Sequence, residues 1–441
     1  MFDHLEKSYK CYQYMRNQGL DGVKERLDKF SKLKKLMTDR KQKIAEAITN
    51  DMGKPIKESI AEVEKTMTLI DYYQKNTLEF IQNEKIQTRF SEAYVMNQPL
   101  GPTLTILPWN FPIWLPFKIG LPALALGNPI LLKHADSVPQ SAQNLDDLFR
   151  DAGFEHEYKN LYIDHDQSAA LIADPRLTSV KFVGSTEGGK KVAAQCGQHM
   201  KRGVFELGGS DAFIVFNDAD IDLAVQKAIA ARLHTSGQAC NNAKRFIIQD
   251  KIYDEFINRL KQALDKHIKI GDPLDMTTTI GPLISKKAKE TLTKQVKSSI
   301  DQGARVVYGD LNYSPSDPNL QNGNFFQPMV LENITKDQPA YCEELFGPVF
   351  SVFKFKDDFE AINLANDSRY GLSASIFTKD IEKAKRKAIK LEVGNVFINE
   401  AVSSDPAIPG GGVKDSGYGR ECYKDGLFEI INRKAVLVGK L

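Results

Sequence analysis

From Gly101 onward, short apolar runs alternate with segments of helical period, and this alternation constrains the fold more than any other feature. The runs PTLTIL, NPILLK, SVKFV and AFIVF are separated by helical segments such as Pro139 to Phe149 and Asp220 to Leu233. Apolar strands that alternate with helices are typical of a parallel sheet covered by helices. After Cys240 the alternation begins again, with RFII, a helix near Tyr253 to His267, and the runs RVVY, VFSVFKF, SASIF and GNVFI. The sequence therefore predicts two α/β domains, which a length of 441 residues also favours.

The two ends of the chain differ from this pattern. The first eighty residues are charged and helical in period, with apolar side chains at three- and four-residue steps, namely Leu27, Phe30, Leu33, Leu36 and Met37. A second amphipathic helix is predicted over roughly Ile56 to Ile81, after a break at Gly53 to Pro55. The tail KAVLVGK predicts a lone strand, which pairs either with the sheet of another subunit or with a sheet of its own chain.

Composition excludes several kinds of partner. The 59 basic and 57 acidic side chains give a formal charge of +2, which offers no electrostatic attraction for nucleic acid or an anionic membrane. The longest apolar stretch, Phe111 to Leu132, is interrupted by Lys118, prolines and glycines, so no membrane span is predicted. The N-terminus lacks the apolar region of a secretory signal. We expect a cytoplasmic protein, and a mitochondrial matrix protein whose presequence has been removed would have the same features.

The five cysteines are scattered and form no CxxC pair, which predicts reduced thiols. Four of them stand in no motif and are predicted to be structural: Cys11, Cys196, Cys342 and Cys422. His134 has no other His, Cys or carboxylate at metal spacing, so no metal site is predicted.

Four segments combine a chemically reactive residue with an unusual backbone setting. In LPWNFP, prolines fix the loop that carries Asn110, whose amide can donate to an oxyanion. In FELGGSD, Glu206 closes a strand and Gly208 allows a close approach of backbone or ligand. In SGQAC, Gly237 lets the chain turn before Cys240, and EELFGPV forms a further loop at a strand edge. An isolated Cys240 would more often be a small buried side chain, but these ordered neighbours favour a nucleophile.

Together with FVGSTEGG, these motifs occur in the order and spacing of the NAD(P)-dependent aldehyde dehydrogenases, which the chain resembles from about Gly53 to Glu421. Within that superfamily, GNPILLKHA and CNNAKRFI are most similar to the shorter succinate-semialdehyde dehydrogenases. The resemblance implies an aldehyde dehydrogenase-like α/β fold with a small oligomerisation strand element. The dinucleotide-binding domain is expected over 1–86 and 101–207, the catalytic domain over 208–420, and the oligomerisation segment over 87–100 and 421–441. A homodimer or homotetramer is expected.

The resemblance also implies a reaction. The Cys240 thiolate attacks an aldehyde to give a thiohemiacetal, whose alkoxide is held by the Asn110 amide and the Cys240 backbone N–H. Hydride transfer to the nicotinamide leaves a thioester, and Glu206 then activates water to release the carboxylic acid. These three residues are the predicted catalytic set.

The cofactor is predicted to be NAD, with NADP left open. In the family, Lys133 contacts the adenosine ribose, and the residue three positions later selects the cofactor. Here that residue is Asp136, whose carboxylate can accept hydrogen bonds from ribose hydroxyls and would repel a 2′-phosphate. The GSTEGG segment opens a helix whose N-terminus can meet a pyrophosphate. The predicted cofactor residues are Leu107, Trp109, Lys133, Asp136, Gly184, Ser185, Gly189, Leu207, Gly208, Glu344 and Phe346.

Succinate semialdehyde is the first candidate substrate, because Lys118 and His234 occupy positions where similar enzymes carry basic anchors for the substrate carboxylate. Lys118 is equally well explained as a lysine that covers apolar surface, and His234 as a polar core residue. Many family members place a proton-relay lysine where this chain has Ile119, so the role of Glu421, a further relay residue in the family, is left open.

Three other functions remain open on sequence alone. The chain could oxidise neutral or aromatic aldehydes, in which case Lys118 and His234 do nothing specific. It could be a non-catalytic NAD-binding scaffold on the same fold, although intact Cys240, Glu206 and Asn110 argue against that. A thioester or ester hydrolase would use the same thiol without NAD.

Overall fold

The structure, a computed structural model, describes residues 1–440 and has a mixed α/β architecture. The strands, in chain order, are β1 (Glu84–Lys85), β2 (Glu92–Pro99), β3 (Thr103–Ile106), β4 (Ile130–Lys133), β5 (Tyr158–Asn160), β6 (Ser179–Val183), β7 (Arg202–Glu206), β8 (Asp211–Val215), β9 (Ala243–Gln249), β10 (Arg305–Tyr308), β11 (Met329–Glu332), β12 (Val349–Phe355), β13 (Tyr370–Gly371), β14 (Ser373–Phe377), β15 (Asn395–Ile398), β16 (Val413–Lys414), β17 (Gly417–Tyr418) and β18 (Ile431–Val438).

The α-helices, in the same order, are α1 (Phe2–Met15), α2 (Gly19–Asp39), α3 (Lys41–Met52), α4 (Ile56–Phe80), α5 (Trp114–Leu126), α6 (Pro139–Ala152), α7 (His165–Ala173), α8 (Thr186–Gln198), α9 (Ile221–Leu233), α10 (Tyr253–His267), α11 (Lys286–Asp301), α12 (Pro339–Cys342), α13 (Asp358–Asn366), α14 (Ile381–Ala388) and α15 (Tyr423–Phe428). Short 3₁₀ turns cover His234–Gly237 and Asp250–Ile252. Within residues 1–440, every helix is too short or too polar to cross a bilayer.

The first sheet has the strand order β17-β7-β6-β3-β4-β5, and its strands are parallel except for the edge strand β17. The chain builds outward from β3 to β4 and β5, then returns to the other side of β3 with β6 and β7. This reversal leaves a crevice at the carboxyl ends of β3 and β6, where open α/β sheets bind their ligands. The residues after these strands, at 107–110 and 184–185, therefore lie where a ligand is expected.

The second sheet has the order β10-β11-β12-β9-β8-β14-β15, and only β10 runs antiparallel to its neighbour. Its central strands are mostly apolar and are buried along nearly their whole length, as expected for a parallel sheet covered on both faces. For example, all residues of β8 are buried. The predicted alternation of strands and helices is confirmed, and the predicted strands PTLTIL, SVKFV, VFSVFKF and SASIF correspond to β3, β6, β12 and β14.

Local sequence explains several helix ends. Helix α6 begins with Pro139, whose fixed φ and missing N–H suit the first helical position, and it ends at Gly153 with φ +94°. Helix α7 begins with a capping box, in which Asp164 accepts from the Gln167 N–H and the Gln167 side chain accepts from the Asp164 N–H.

The tail strand β18 pairs antiparallel with β2 of the same chain, from Ile431 opposite Pro99 to Val438 opposite Glu92. Strands β1, β2 and β18 form a small separate sheet. Two details differ from the predicted boundaries. Strand β17, expected within the catalytic segment, joins the first sheet, and residues of α15, expected in the oligomerisation segment, pack into the core beneath the N-terminal helices.

That core contains an aromatic cluster in which Phe149 contacts Phe117 and Tyr158, with ring centroids 5.1 and 4.0 Å apart. Phe149 is fully buried. Removing its ring loses buried apolar area and leaves a cavity, so we expect Phe149→Ala to lower the free energy of unfolding by about 3 to 5 kcal/mol in chemical denaturation. Phe359→Ala is the control, because Phe359 is 77% exposed, and it should change stability by less than about 0.5 kcal/mol. Equal effects of the two substitutions would contradict this account of the core.

Candidate active site

Three side chains from distant parts of the chain line one cavity of about 670 Å³. Asn110 lies in the loop after β3, Glu206 is the last residue of β7, and Cys240 lies in the loop before β9. The structure thus brings together the carboxyl ends of the first sheet and the amino end of a central strand in the second. The sulfur is accessible from the cavity, since Cys240 is only partly buried.

The backbone before Cys240 is held in a rare conformation. Thr235, Ser236 and Gly237 have φ values of +55°, +53° and +78°, in the left-handed region that non-glycine residues seldom adopt. A Cβ on Gly237 would lie 2.4 Å from the carbonyl carbon of Gly347, so this position needs glycine for space as well as for conformation. The Thr235 N–H donates to the Glu58 carboxylate at 2.7 Å, which helps to hold the turn.

Lys244 binds the carbonyl oxygens around the cysteine. Its ammonium donates to Ala239 at 2.9 Å and to Cys240 at 2.5 Å, and lies 3.3 Å from the Glu344 carboxylate. On the other side of this loop, a Cβ on Gly209 would lie 2.7 Å from the Cys240 carbonyl oxygen. The second glycine of ELGG therefore allows the two backbones to approach. Within residues 1–440, the Cys240 N–H has no hydrogen-bond acceptor and can donate to a ligand.

Arg232 fixes the loop at 343–349 against the cysteine loop. The guanidinium is fully buried and donates to the carbonyls of Leu345 and Val349, each at 2.6 Å, and also to that of Gly347. Burial lowers the pKa of Arg232 to about 9. The carbonyl oxygens replace the water that the guanidinium loses on burial.

A buried ion pair positions the Asn110 loop. Lys54 donates to the Asn110 carbonyl at 2.8 Å and to the Glu62 carboxylate at 2.5 Å. The other oxygen of Glu62 accepts from the N–H groups of Ile113 and Trp114, each at 2.9 Å, at the start of α5. A carboxylate at a helix N-terminus is stabilised by the free N–H groups and the helix dipole.

The Asn110 amide points to the cysteine loop, where its nitrogen donates to the Gln238 carbonyl at 3.0 Å. An amide NH₂ carries two hydrogens, so a second hydrogen remains for a ligand. Asn110 and the Cys240 N–H are thus two donors near the thiol.

The surroundings of Cys240 favour its neutral thiol over the thiolate. Burial, with the negative charge of Glu206 as the second cause, raises the pKa of Cys240 to about 12. Burial and the neighbouring Glu421 likewise raise the pKa of Glu206, against the opposing effect of Lys118. The Glu206 oxygen Oε1 is buried without a hydrogen-bond partner within residues 1–440. A carboxylate with one unoccupied oxygen and a raised pKa can accept a proton at a pH near neutrality.

Lys118 lies between the two carboxylates. Its ammonium is 3.5 Å from Glu206 and forms a closer ion pair with Glu421, and all three side chains are buried. The sequence left the role of Glu421 open because the expected relay position is Ile119. The structure shows that Lys118, one position earlier on α5, contacts both carboxylates.

The predicted cofactor residues divide into two groups. Trp109, Gly184, Ser185, Leu207, Gly208, Glu344 and Phe346 line the cavity, whereas Leu107, Lys133, Asp136 and Gly189 do not. The rings of Trp109 and Phe346 meet edge to face, with centroids 5.8 Å apart. A Cβ on Gly208 would lie 2.5 Å from a Glu344 oxygen, and one on Gly189 would lie 2.3 Å from the Leu207 side chain.

The glycines therefore let α8 pack directly on the end of β7 and let Glu344 approach the ELGG backbone. Ser185 caps α8, accepting from the Gly188 N–H at 3.2 Å, so that the start of this helix borders the cavity. A helix N-terminus that opens on a crevice suits a pyrophosphate. The residues present fit a dinucleotide.

Lys133 and Asp136 form an ion pair of 2.8 Å at the end of β4, where the Lys133 side chain is buried and the Asp136 side chain is 89% exposed. Part of the Asp136 charge is thus neutralised within the protein. The preference for NAD that Asp136 suggests stays a prediction.

Comparisons with known proteins identify the family. A model described as "Aldehyde dehydrogenase family" matches residues 19–436. The chain belongs to the aldehyde dehydrogenase family. It is 41% identical over 433 residues to succinate-semialdehyde dehydrogenase [NADP(+)] of Deinococcus radiodurans, covering 98% of this chain and 89% of that protein. It is 40% identical over 412 residues to succinate semialdehyde dehydrogenase [NAD(P)+] of Escherichia coli, covering 93% of this chain and 88% of that protein.

Solved structures agree. The aldehyde dehydrogenase chain is similar to succinic semialdehyde dehydrogenase from Streptococcus pyogenes in complex with NADP+, with a TM-score of 0.95 and 38% identity, over 99% of this chain and 94% of that one. The predicted family and α/β fold are confirmed.

Two residues of this aldehyde dehydrogenase, predicted to anchor a substrate carboxylate, have other surroundings. Lys118 lines the cavity and is already paired with two carboxylates, so its charge is compensated within the protein. His234 lines the cavity and packs on Phe111, with ring centroids 5.5 Å apart. Desolvation within the cavity, followed by the charges of Lys54 and Lys65, lowers the pKa of His234 and favours the neutral imidazole, although 49% of this side chain is exposed. The His134 ring donates to the Pro112 carbonyl at 2.9 Å and accepts from the Ala135 N–H, so both of its nitrogens are engaged within the protein.

Sequence reasoning missed the buried cations Lys54, Arg232 and Lys244. Each has a sequence signal that is weak by itself. Lys54 lies in a Gly-Lys-Pro break, Arg232 lies in the last turn of α9, and Lys244 lies four positions after the cysteine, in β9. Basic residues at such positions are usually solvated, so only the fold shows that they bind carbonyl oxygens.

The turn before Cys240 gives a test of this geometry. Gly237→Ala adds a Cβ where the Gly347 backbone lies and disfavours the positive φ, so the thiol should move relative to Asn110. We expect kcat/KM for aldehyde oxidation to fall by roughly 10²-fold. Gly197→Ala is the control, since Gly197 lies in α8 with no atom within 4 Å of the added Cβ, and its activity should be unchanged. Wild-type activity of Gly237→Ala would show that the turn does not position the thiol.

Proposed function

We propose that this chain oxidises succinate semialdehyde to succinate with NAD(P)+ as the hydride acceptor. The observation that carries the proposal is the convergence of Cys240, Glu206 and Asn110 on one cavity that also borders a dinucleotide crevice. The named activities of the Deinococcus radiodurans, Escherichia coli and Streptococcus pyogenes relatives support the substrate.

Bond formation begins at Cys240. The thiol must first lose its proton, and the free oxygen of Glu206 is the base that the cavity offers. The sulfur then attacks the aldehyde carbon, and negative charge develops on the former carbonyl oxygen. The second hydrogen of the Asn110 amide and the Cys240 N–H would hold that oxygen, each donor contributing about 10²- to 10³-fold in rate.

The bound dinucleotide supplies the acceptor for the hydride that leaves the thiohemiacetal carbon. A thioester on Cys240 remains. Glu206 then removes a proton from a water molecule that attacks the thioester, and succinate and the free thiol are released. Lys118 and Glu421 support this step, because they form the buried ion cluster through which a proton can leave Glu206.

The cofactor preference and the assembly are part of the proposal. Asp136 supports NAD, whereas two relatives named above use NADP+ or either dinucleotide, so both are to be tested. Strand β18 lies at the edge of the small sheet and exposes most of its residues. An edge of this kind can add to the sheet of a second copy, which supports a homodimer or homotetramer and the predicted oligomerisation role of this sheet. The division of the strands between two large sheets supports a dinucleotide-binding domain and a catalytic domain.

Steady-state kinetics with succinate semialdehyde and with butanal, each with NAD+ and NADP+, test the proposal. We expect NADH or NADPH formation with kcat/KM higher for succinate semialdehyde. Cys240→Ala should abolish it, whereas Cys342→Ala, at an exposed cysteine, should not. If kcat/KM for butanal equals or exceeds that for succinate semialdehyde, the alternative of a dehydrogenase for neutral aldehydes is favoured. Absence of dinucleotide reduction with either aldehyde would leave a binding scaffold, and ester hydrolysis without dinucleotide would indicate a hydrolase.

The ion cluster predicts a change in pH dependence. Lys118 lowers the pKa of Glu206, so Lys118→Met should raise that pKa further. A base acts only when deprotonated, and the acidic limb of the kcat profile should therefore move to higher pH, measured with succinate semialdehyde from pH 5 to 9. Because the three groups titrate together, the limb reports the cluster and not one residue. Lys118→Arg keeps the charge and should leave the limb near its wild-type position. A limb that does not move in Lys118→Met, in protein shown by circular dichroism to be folded, would contradict this role.

A further inference from the structure

The cavity contains one cation whose charge is not compensated by a neighbouring side chain. Lys65, on α4, lines the same cavity as Cys240 and Glu206. Within residues 1–440 its ammonium has no carboxylate partner at ion-pair distance and no hydrogen-bond acceptor. Its described contact is with the Trp114 ring, whose centroid is 4.5 Å away. The other basic side chains that line the cavity differ, because Lys118 is paired with two carboxylates and the His234 imidazole lies 3.9 Å from the Glu58 carboxylate.

The carboxylates that share the cavity are themselves engaged. Glu62 is bound by Lys54 and by two N–H groups of α5, Glu344 by Lys244, and Glu400 by Lys227. Asp405 also lines the cavity and accepts from the Ala407 N–H. Its negative charge and that of Glu62 partly offset the lowering of the Lys65 pKa, but neither carboxylate lies at ion-pair distance from the Lys65 ammonium. Glu58 is bound by a backbone N–H, and burial raises its pKa to about 7, so that its charge is partly lost at neutral pH.

The surroundings of Lys65 are unfavourable for a cation without a partner. Burial, followed by the charge of Lys118, lowers the pKa of Lys65. A Trp face attracts an ammonium but does not replace an anion. An anionic ligand group placed beside Lys65 would therefore form an ion pair in a poorly solvated site, where such pairs are stronger than at the surface.

Lys65 is also placed along the substrate path. Glu58, Glu62 and Lys65 lie at i, i+4 and i+7, on the face of α4 that borders the cavity. Trp114 and Lys118 of α5 also line the cavity, and the Lys118 ammonium lies 3.5 Å from the Glu206 carboxylate. The thiol that would react with an aldehyde and the ammonium that would bind a carboxylate thus open on one cavity.

We propose that Lys65 is the residue that binds the carboxylate of the semialdehyde substrate, in place of Lys118. This inference rests on the proposed function, because it names the substrate contact within it. Lys118 organises Glu206 and Glu421, and Lys65 selects an aldehyde that carries a negative charge.

The test compares Lys65→Met with Lys57→Met, which changes an exposed lysine on the same helix that does not line the cavity. KM for succinate semialdehyde should rise roughly 10- to 100-fold in Lys65→Met, as for loss of a charged hydrogen bond, whereas KM for butanal and both kcat values should change little. Lys57→Met should match the wild type, and Lys65→Arg should restore much of the affinity. An equal effect on both aldehydes, or no effect on either, would overturn the assignment. The assignment would also fail if Lys118→Met, and not Lys65→Met, raised KM for succinate semialdehyde alone.

Calorimetric titration with succinate separates this inference from the proposed reaction, because it needs no turnover. Succinate should bind the wild type and Lys57→Met, and should bind Lys65→Met at least about 10-fold more weakly. If the wild type oxidises no aldehyde but shows this difference, the proposed function fails and the anion site at Lys65 stands. If the wild type oxidises succinate semialdehyde but succinate binding does not depend on Lys65, only the anchor assignment fails.

Discussion

Buried cations that bind backbone carbonyl oxygens hold the active-site loops in place. Lys54 binds the loop of Asn110, Arg232 binds the loop at 343–349, and Lys244 binds the loop of Cys240. A cation taken out of water is costly unless polar groups replace its hydration, and here irregular backbone supplies those groups. The loops in turn have carbonyls that no sheet or helix satisfies. The cations thus satisfy the loop carbonyls, and the carbonyls replace the water lost by the cations. These contacts fix the loops and thereby the catalytic side chains.

Two glycine positions make this arrangement possible. The chain passes from β7 in the first sheet to β8 in the second through the ELGG segment, where a side chain at Gly208 or Gly209 would collide with Glu344 or with the Cys240 carbonyl. Close approach of these backbones joins the two sheets at the site. The dinucleotide crevice and the thiol are consequently adjacent, although the residues that form them are distant in sequence.

The fold and the catalytic set could be predicted from sequence because their signals are local. Apolar runs predicted β3, β6 and β14, and a proline or glycine marks the ends of α6. The electrostatic partners could not be predicted in this way. Lys118 was one candidate for binding the substrate carboxylate, and the structure places its ammonium between Glu206 and Glu421, which lie far from it in the chain. Such pairings depend on how helices pack on the sheet, and a lysine side chain is long enough to fill a role expected one position later.

The raised pKa of Cys240 has a consequence for the resting protein. Burial and the negative charge of Glu206 favour the neutral thiol over the thiolate when no ligand is bound. Peroxide attacks the thiolate and converts it to sulfenic acid, whereas the neutral thiol reacts far more slowly. We therefore expect Cys240 to react slowly with peroxide while the cavity holds no substrate.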